Sequence, residues 1–130
     1  MSGNGKKTFS CDNLRVSVPH RLLVDALSIE ISPGELVAVL GQNGCGKSLT
    51  MHTLAGLRSS ESASILVNGS NLATAPRKDI AKRLALLPQH VDDMFPATVL
   101  DTAMIGRHPH IGRLNWESDK DFAIAKAALD

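Results

Sequence analysis

Apolar and polar positions alternate along two early stretches of the chain, 14–18 and 26–31, and this period of two predicts strands with one buried face. Three uninterrupted apolar runs follow at 36–40, 65–67 and 84–87. An apolar run without alternation is typical of a strand that is covered on both faces. We therefore expect 36–40 and 84–87 to be buried strands, and 65–67 to be a strand that leads into a tight turn.

Helical signals dominate the last third of the chain. Thr98 with Asp101 matches a capping box for a helix that ends at Gly106, and Ser118 with Asp121 matches one for a helix that reaches the chain end. Two shorter helices are predicted earlier, at 48–57 and, rich in basic side chains, from Thr74 or Pro76 to Lys82 or Arg83.

The run 36–40 leads directly into the sequence Gly41-Gln42-Asn43-Gly44-Cys45-Gly46-Lys47-Ser48. Glycines at both ends of a four-residue gap let successive backbone N–H groups curl around phosphate oxygens, because no Cβ atoms stand in the way. Lys47 would reach the β and γ phosphates and Ser48 would offer its hydroxyl to Mg²⁺. The following helix adds the positive end of its dipole. The pattern predicts that this segment binds ATP or GTP.

Composition and charge restrict the class of protein. The chain has 130 residues, 43% of them hydrophobic, which suits one domain or part of one. Its formal net charge is +1 and no basic stripe is visible, so no nucleic-acid partner is expected. The apolar runs are far shorter than the ~20 residues of a membrane span, and 1–13 lacks a signal-peptide core, so we expect a cytoplasmic protein. Cys11 and Cys45 are expected to be reduced thiols.

The phosphate loop, the strand that ends in Leu87-Pro88-Gln89 and the later helices together resemble the ATP-binding-cassette (ABC) ATPases, the motor subunits of membrane transporters. The resemblance implies an α/β P-loop NTPase core with an antiparallel β subdomain over 11–90 and the start of a helical subdomain over 91–130. Residues 1–130 would then be the N-terminal portion of one nucleotide-binding domain, incomplete at its C-terminus. The family's signature motif, Walker B motif and switch histidine are not found, so we expect a fragment or a truncated gene product without ATP turnover of its own.

The same resemblance assigns roles to individual residues. Gln89 matches the Q-loop glutamine, which helps to hold Mg²⁺ and the attacking water and couples the site to the membrane subunits. Lys47 and Gln89 are the expected catalytic residues, and Ser48 and Gln89 the expected ligands of Mg²⁺. ATP would be bound by Gly41, Asn43, Gly44, Cys45, Gly46, Lys47, Ser48 and Leu49.

A narrower resemblance lies in the segments 95–99, 104–110 and 116–118, which are similar to those of importers of iron-siderophore, haem and cobalamin. It implies ATP hydrolysis coupled to uptake of a metal chelate, at the cytoplasmic face of the plasma membrane. The expected partners are transmembrane permease subunits, a second copy of the ATPase and, indirectly, a substrate-binding protein. We expect 91–110 to dock on the permease.

Other functions remain open on the sequence alone. The chain could serve an importer of another small solute, or a soluble cassette protein that acts on ribosomes or DNA, which its balanced charge disfavours. A small P-loop kinase or a non-hydrolysing nucleotide-binding module is a third class, and a kinase could use Arg107 and Arg113 on its second substrate. His108 and His110 flank a proline without further ligands at suitable spacing, so they predict no metal site.

Overall fold

A computed structural model describes residues 8–60, 64–89, 96–112 and 114–130. The chain divides into two compact units, one up to Ala85 and one from Leu86 onwards. The first unit contains the sheet and the predicted phosphate loop, and the second contains two capped helices.

The first unit is built on a four-stranded antiparallel sheet. The strands are β1 (Phe9–Val18), β2 (Arg21–Ile31), β3 (Ser64–Val67) and β4 (Ser70–Asn71). Their order in the sheet is β2-β1-β3-β4. β1 pairs with β2 along its whole length but with β3 only from Phe9 to Asp12.

One face of β1 carries the core of this unit. Cys11, Leu14 and Val16 are buried together with Ile65 of β3. Cys11 and Leu14 share a face although they are three positions apart, because the pairing with β2 shifts between them and Asn13 takes a positive φ of 55°. Burial raises the pKa of the Cys11 thiol. The alternation therefore predicted the buried face correctly but not the irregularity within it.

The turn between β3 and β4 is the predicted tight turn. Asn68 and Gly69 have φ values of 48° and 78°, the left-handed conformation that a two-residue hairpin requires at both positions. Val67 pairs with Ser70 across it. Asn and Gly tolerate this conformation better than other residues, which is why the sequence alone locates the turn.

The buried strands predicted at 36–40 and 84–87 are wrong. Neither run forms a strand, and Leu36, Leu40 and Leu87 are 96%, 89% and 91% exposed. A strand covered on both faces lies inside a sheet, between hydrogen-bonded neighbours, and no described strand pairs with either run. The apolar pattern depends only on the polarity of the side chains. It therefore could not show that the described residues contain no strand to pair with these two runs.

The predicted helices are present, with shorter bounds than expected at three of them. The helix after the loop begins one residue earlier than predicted and ends at Leu54, and the basic helix follows Pro76 and ends at Ala81. The last helix ends at Ala127 and, contrary to the prediction, does not reach the chain end. A 3₁₀ turn that was not predicted covers His108–His110. The helices are α1 (Lys47–Leu54), α2 (Arg77–Ala81), α3 (Val99–Ile105) and α4 (Asp119–Ala127).

Both predicted capping boxes are confirmed in the second unit. The Asp101 carboxylate accepts hydrogen bonds from the backbone and hydroxyl of Thr98 at the start of α3. Asp121 does the same for Ser118 at the start of α4, at 3.1 and 2.6 Å. Arg107 adds an ion pair of 2.9 Å to Asp121, which ties the end of α3 to the start of α4. In the part of the chain that the structure describes, no helix is long and apolar enough to cross a bilayer.

Candidate functional site

The predicted phosphate loop enters α1 through Gly46, and a glycine is required at this position for two reasons. Its φ of 101° is a conformation that residues with a Cβ rarely adopt. A Cβ placed there would also lie 3.0 Å from the Cβ of Leu23, so the backbone of Gly46 rests directly on β2. The loop is thereby attached to the sheet at the point where the helix begins.

The Lys47 side chain folds back over the loop. Its Nζ donates hydrogen bonds to the carbonyl oxygens of Gly41 and Gln42, both at 2.8 Å. An ammonium group has three N–H donors, so these two bonds fix its position and leave one donor for another acceptor. The cation is therefore already oriented by the backbone of its own loop.

The N-terminus of α1 can receive an anion. No side chain caps this helix in the described structure, and no acidic residue lies in its first turn. The backbone N–H of Thr50 donates to the carbonyl oxygen of Gly46 at 2.8 Å, which is the first bond of the helical ladder. The N–H groups of 47–49 precede that bond and have no partner inside the helix. With the helix dipole, they form a site suited to phosphate.

The remaining loop residues lie around this end of the helix. Asn43, Gly44 and Ser48 are exposed. The Cys45 sulfur packs over Gly41, where an added Cβ would meet it at 2.8 Å. Leu49 packs partly buried against the core. All eight residues predicted to bind ATP thus belong to one continuous segment of loop and helix.

Gln89, the other predicted catalytic residue, is exposed and follows Pro88 in the second unit. The sequence predicts no metal site at His108 and His110. His108 lies 3.9 Å from Glu117, and no group of three His, Cys, Asp or Glu side chains suited to a metal ion is found among the described residues. Arg113, considered for a kinase, lies outside the described residues.

Two contacts around the loop and its helix were not predicted. Leu23 packs under Gly46, and Arg58 donates a hydrogen bond to the carbonyl oxygen of Ser17. Both join residues that are far apart in the sequence. No local pattern signals such a pair, so neither could be found before the fold was known.

The family model for ABC transporters matches residues 24–130, which is most of the chain. The chain belongs to the ABC transporter family. This match confirms the resemblance on which the sequence predictions rested, and it agrees with the α/β P-loop ATPase fold class.

Relatives of this ABC chain include import ATP-binding proteins. It is 35% identical over 126 residues to the iron(3+)-hydroxamate import ATP-binding protein of Bacillus subtilis (strain 168), covering 95% of this chain and 46% of that protein. It is also 35% identical over 126 residues to the hemin import ATP-binding protein of Burkholderia ambifaria, with coverage of 91% and 46%. The chain spans less than half the length of these relatives. The predicted link to cobalamin stays a prediction.

A solved structure with the same fold is that of a metal-chelate type ABC transporter in an inward-facing conformation. The TM-score is 0.73 at 28% sequence identity, and the match covers 96% of this chain and 44% of the other. The fold of the described residues is therefore that of an ABC ATPase over most of their length.

Proposed function

We propose that this chain is the ATP-binding part of an ABC import subunit that couples ATP binding and hydrolysis to the uptake of an iron-siderophore or haem. The observation that carries the proposal is the Lys47 ammonium, held on two loop carbonyls beside the uncapped start of α1. The iron-hydroxamate and hemin importers among the relatives support the choice of cargo.

The residues present fit a nucleoside triphosphate with Mg²⁺. The N–H groups at the start of α1 and the free donor of Lys47 suit the phosphates. The exposed Ser48 hydroxyl suits the metal. From the family resemblance we propose Gln89 as a second oxygen ligand. When bound, Mg²⁺ neutralises charge on the β and γ phosphates.

The chemistry would be phosphoryl transfer to water, achieved by positioning and charge stabilisation. Lys47 would stabilise negative charge on the transferred phosphoryl group, and Gln89 would orient the attacking water. The sequence contains no signature motif and no Walker B carboxylates. We infer that these 130 residues bind the nucleotide and that turnover requires groups outside them.

The proposed partners are permease subunits in the membrane and a second ATPase copy, with the subunit lying on the cytoplasmic face. Segment 91–110 is the proposed contact with the permease, although its first part, 91–95, lies outside the described residues. In the described part, Val99 and Ile105 of α3 are 71% and 64% exposed. Exposed aliphatic side chains on a short helix suit a protein interface.

The structure gives one reason to prefer this function to a kinase. A kinase would need arginines free to bind a second substrate. Arg107 instead donates to Asp121 through Nε and Nη2, at 3.0 and 2.9 Å, and its side chain is only 19% exposed. Its charge is engaged within the fold. An importer of another small solute remains the second candidate.

An uptake assay tests the proposal. The full-length protein would be expressed with its cognate permease in a strain that lacks its own iron-chelate import ATPase, and uptake of radiolabelled ferric hydroxamate and haem would be measured. Uptake of one of them should be restored by the wild type and by Lys120→Ala, which removes an exposed cation of α4, and lost in Lys47→Ala. Equal uptake with Lys47→Ala would refute the role of the loop, and uptake of neither chelate by any variant would refute the cargo.

A further inference from the structure

Arg58 lies beyond the C-terminal end of α1 and reaches back to β1. Its Nη2 donates a hydrogen bond to the backbone carbonyl oxygen of Ser17. Its Nη1 is buried and has no hydrogen-bond partner among the described residues. A buried N–H without a partner costs folding free energy. Retaining an arginine for stability alone would therefore be a poor solution, because methionine could fill similar space without that cost.

The place that Arg58 occupies is open on the sheet. β3 pairs with β1 only from Phe9 to Asp12, and Ser17 lies beyond that pairing. No described strand adjoins Ser17 on that side, so Arg58 supplies the donor that a further strand would otherwise provide. The bond therefore attaches the segment that follows α1 to the β1–β2 hairpin near the turn that joins its two strands.

The other end of α1 is attached to the same end of the hairpin. Gly46 packs on Leu23, and the neighbouring Leu22 is the ladder partner of Ser17. The helix that begins with Lys47 is thus attached to one hairpin on both sides, through Gly46 at its start and through Arg58 four residues past Leu54. Between these contacts the buried Thr50 and Thr53 and the partly buried Leu54 pack it on the core. The Arg58 bond adds to this packing a hold on the same hairpin that carries Leu23.

We propose that Arg58 is a positioning residue for the phosphate loop. By anchoring the C-terminal end of α1, it keeps Lys47 and the first-turn N–H groups aimed at the triphosphate. The inference rests on the proposed ATP-binding function for its ligand. Its structural part, the anchoring of α1, can be measured without any ligand.

The test compares Arg58→Met with the wild type in the full-length protein, using calorimetric titration with MgATP and with magnesium tripolyphosphate. Both affinities should fall by the same factor, about tenfold, because in the proposed site the loop would contact the phosphates that both ligands share. The thermal midpoint should not fall, since the unpaired Nη1 is removed as well. Arg58→Lys keeps a donor for Ser17 and should bind within about twofold of the wild type. Arg15→Met removes an exposed ion pair with Asp25 on the same hairpin and should change neither affinity.

Hydrogen exchange provides the readout that needs no nucleotide. In Arg58→Met, the amides of Thr50 and Ala55 in and after α1 should exchange faster, while those of the β1–β3 ladder should not change. Unchanged exchange in α1 would overturn the inference, and so would a loss of affinity for MgATP but not for tripolyphosphate. If the wild type binds neither ligand, the proposed function fails and the exchange rates alone decide about Arg58. If Arg58→Met does not fold, a tenfold loss in Arg58→Lys would overturn the inference.

Discussion

Gly46 and Lys47 show what single residues contribute to the loop. Their pattern is local, so the phosphate loop could be predicted from the sequence with its glycines and its cation. The supports of the loop could not, because Leu23 and the bond between Arg58 and Ser17 connect distant parts of the chain. The motif thus predicts which groups of the loop would contact a ligand. Contacts with the rest of the fold determine how rigidly those groups are positioned.

Gly46→Ala should destabilise the first unit by roughly 1–3 kcal/mol, because alanine is strained at a φ of 101° and its Cβ would meet Leu23 at 3.0 Å. Gly69→Ala is the matched control, since Gly69 has a φ of 78° but open space around it. Urea unfolding should show a loss in both variants and a larger one for Gly46→Ala. Equal losses would mean that the contact with Leu23 does not constrain the loop.

Ser48→Ala should remove the benefit of Mg²⁺ for nucleotide binding. The proposed role of the hydroxyl is to bind the metal, so affinity for ATP in EDTA should stay the same, while affinity in Mg²⁺ should fall by about tenfold. Titration of both proteins with and without Mg²⁺ measures this difference. An equal loss under both conditions would assign Ser48 to the phosphates rather than to the metal.

The positions of the two capped helices, α3 and α4, could be predicted from the sequence. Thr98 with Asp101 and Ser118 with Asp121 located α3 and α4 because a capping box is complete within four residues. The ion pair between Arg107 and Asp121 joins the two helices, and no local pattern reveals it. Asp121 therefore has two functions in the fold, one predicted and one found only in the structure.

The Asp121 carboxylate makes the second unit sensitive to acid. Hydrogen bonds from Ser118 and the nearby Arg107 lower its pKa from 3.8 to about 2. A pKa that is lower in the folded state contributes stability above the unfolded value, and this stability is lost as the pH falls through about 4 towards about 2. Helix content measured by circular dichroism should fall over this range in the wild type and in Asp119→Asn. The part of the change that is due to Asp121 should be absent in Asp121→Asn. If Asp121→Asn and the wild type lose helix content over the same pH range and to the same extent, Asp121 does not cause the acid sensitivity.

Over the whole chain, the apolar runs are the feature whose structure the sequence did not predict. The runs 36–40 and 84–87 have the composition of buried strands, yet 36–40 is exposed throughout, and in 84–87 Leu87 is exposed and Leu84 and Leu86 are only half-buried. Hydrophobic pattern alone cannot establish burial, because burial depends on neighbours that the pattern does not describe. The antiparallel sheet, in contrast, was predicted in part. The alternating stretches 14–18 and 26–31 lie inside β1 and β2 but cover only about half of each strand, and β4 was not predicted.

Leu40→Gln should therefore leave the stability of the sheet nearly unchanged, within about 0.5 kcal/mol, because Leu40 is 89% exposed. It should also reduce the binding of a hydrophobic dye to the purified protein. Leu14→Ala should cost about 2–5 kcal/mol, because Leu14 is 0% exposed in the core. Similar losses in the two variants would show that the run 36–40 is buried in solution.

Calorimetric titration of the full-length protein with MgATP is the most direct test of nucleotide binding by the loop. We expect the wild type and Lys120→Ala to bind MgATP with equal affinity. Lys47→Ala should bind at least about tenfold more weakly, with an unchanged thermal midpoint, because it removes the oriented cation and leaves the core intact. Equal affinity of Lys47→Ala and the wild type, or no binding by the wild type, would contradict the claim that this loop binds the nucleotide.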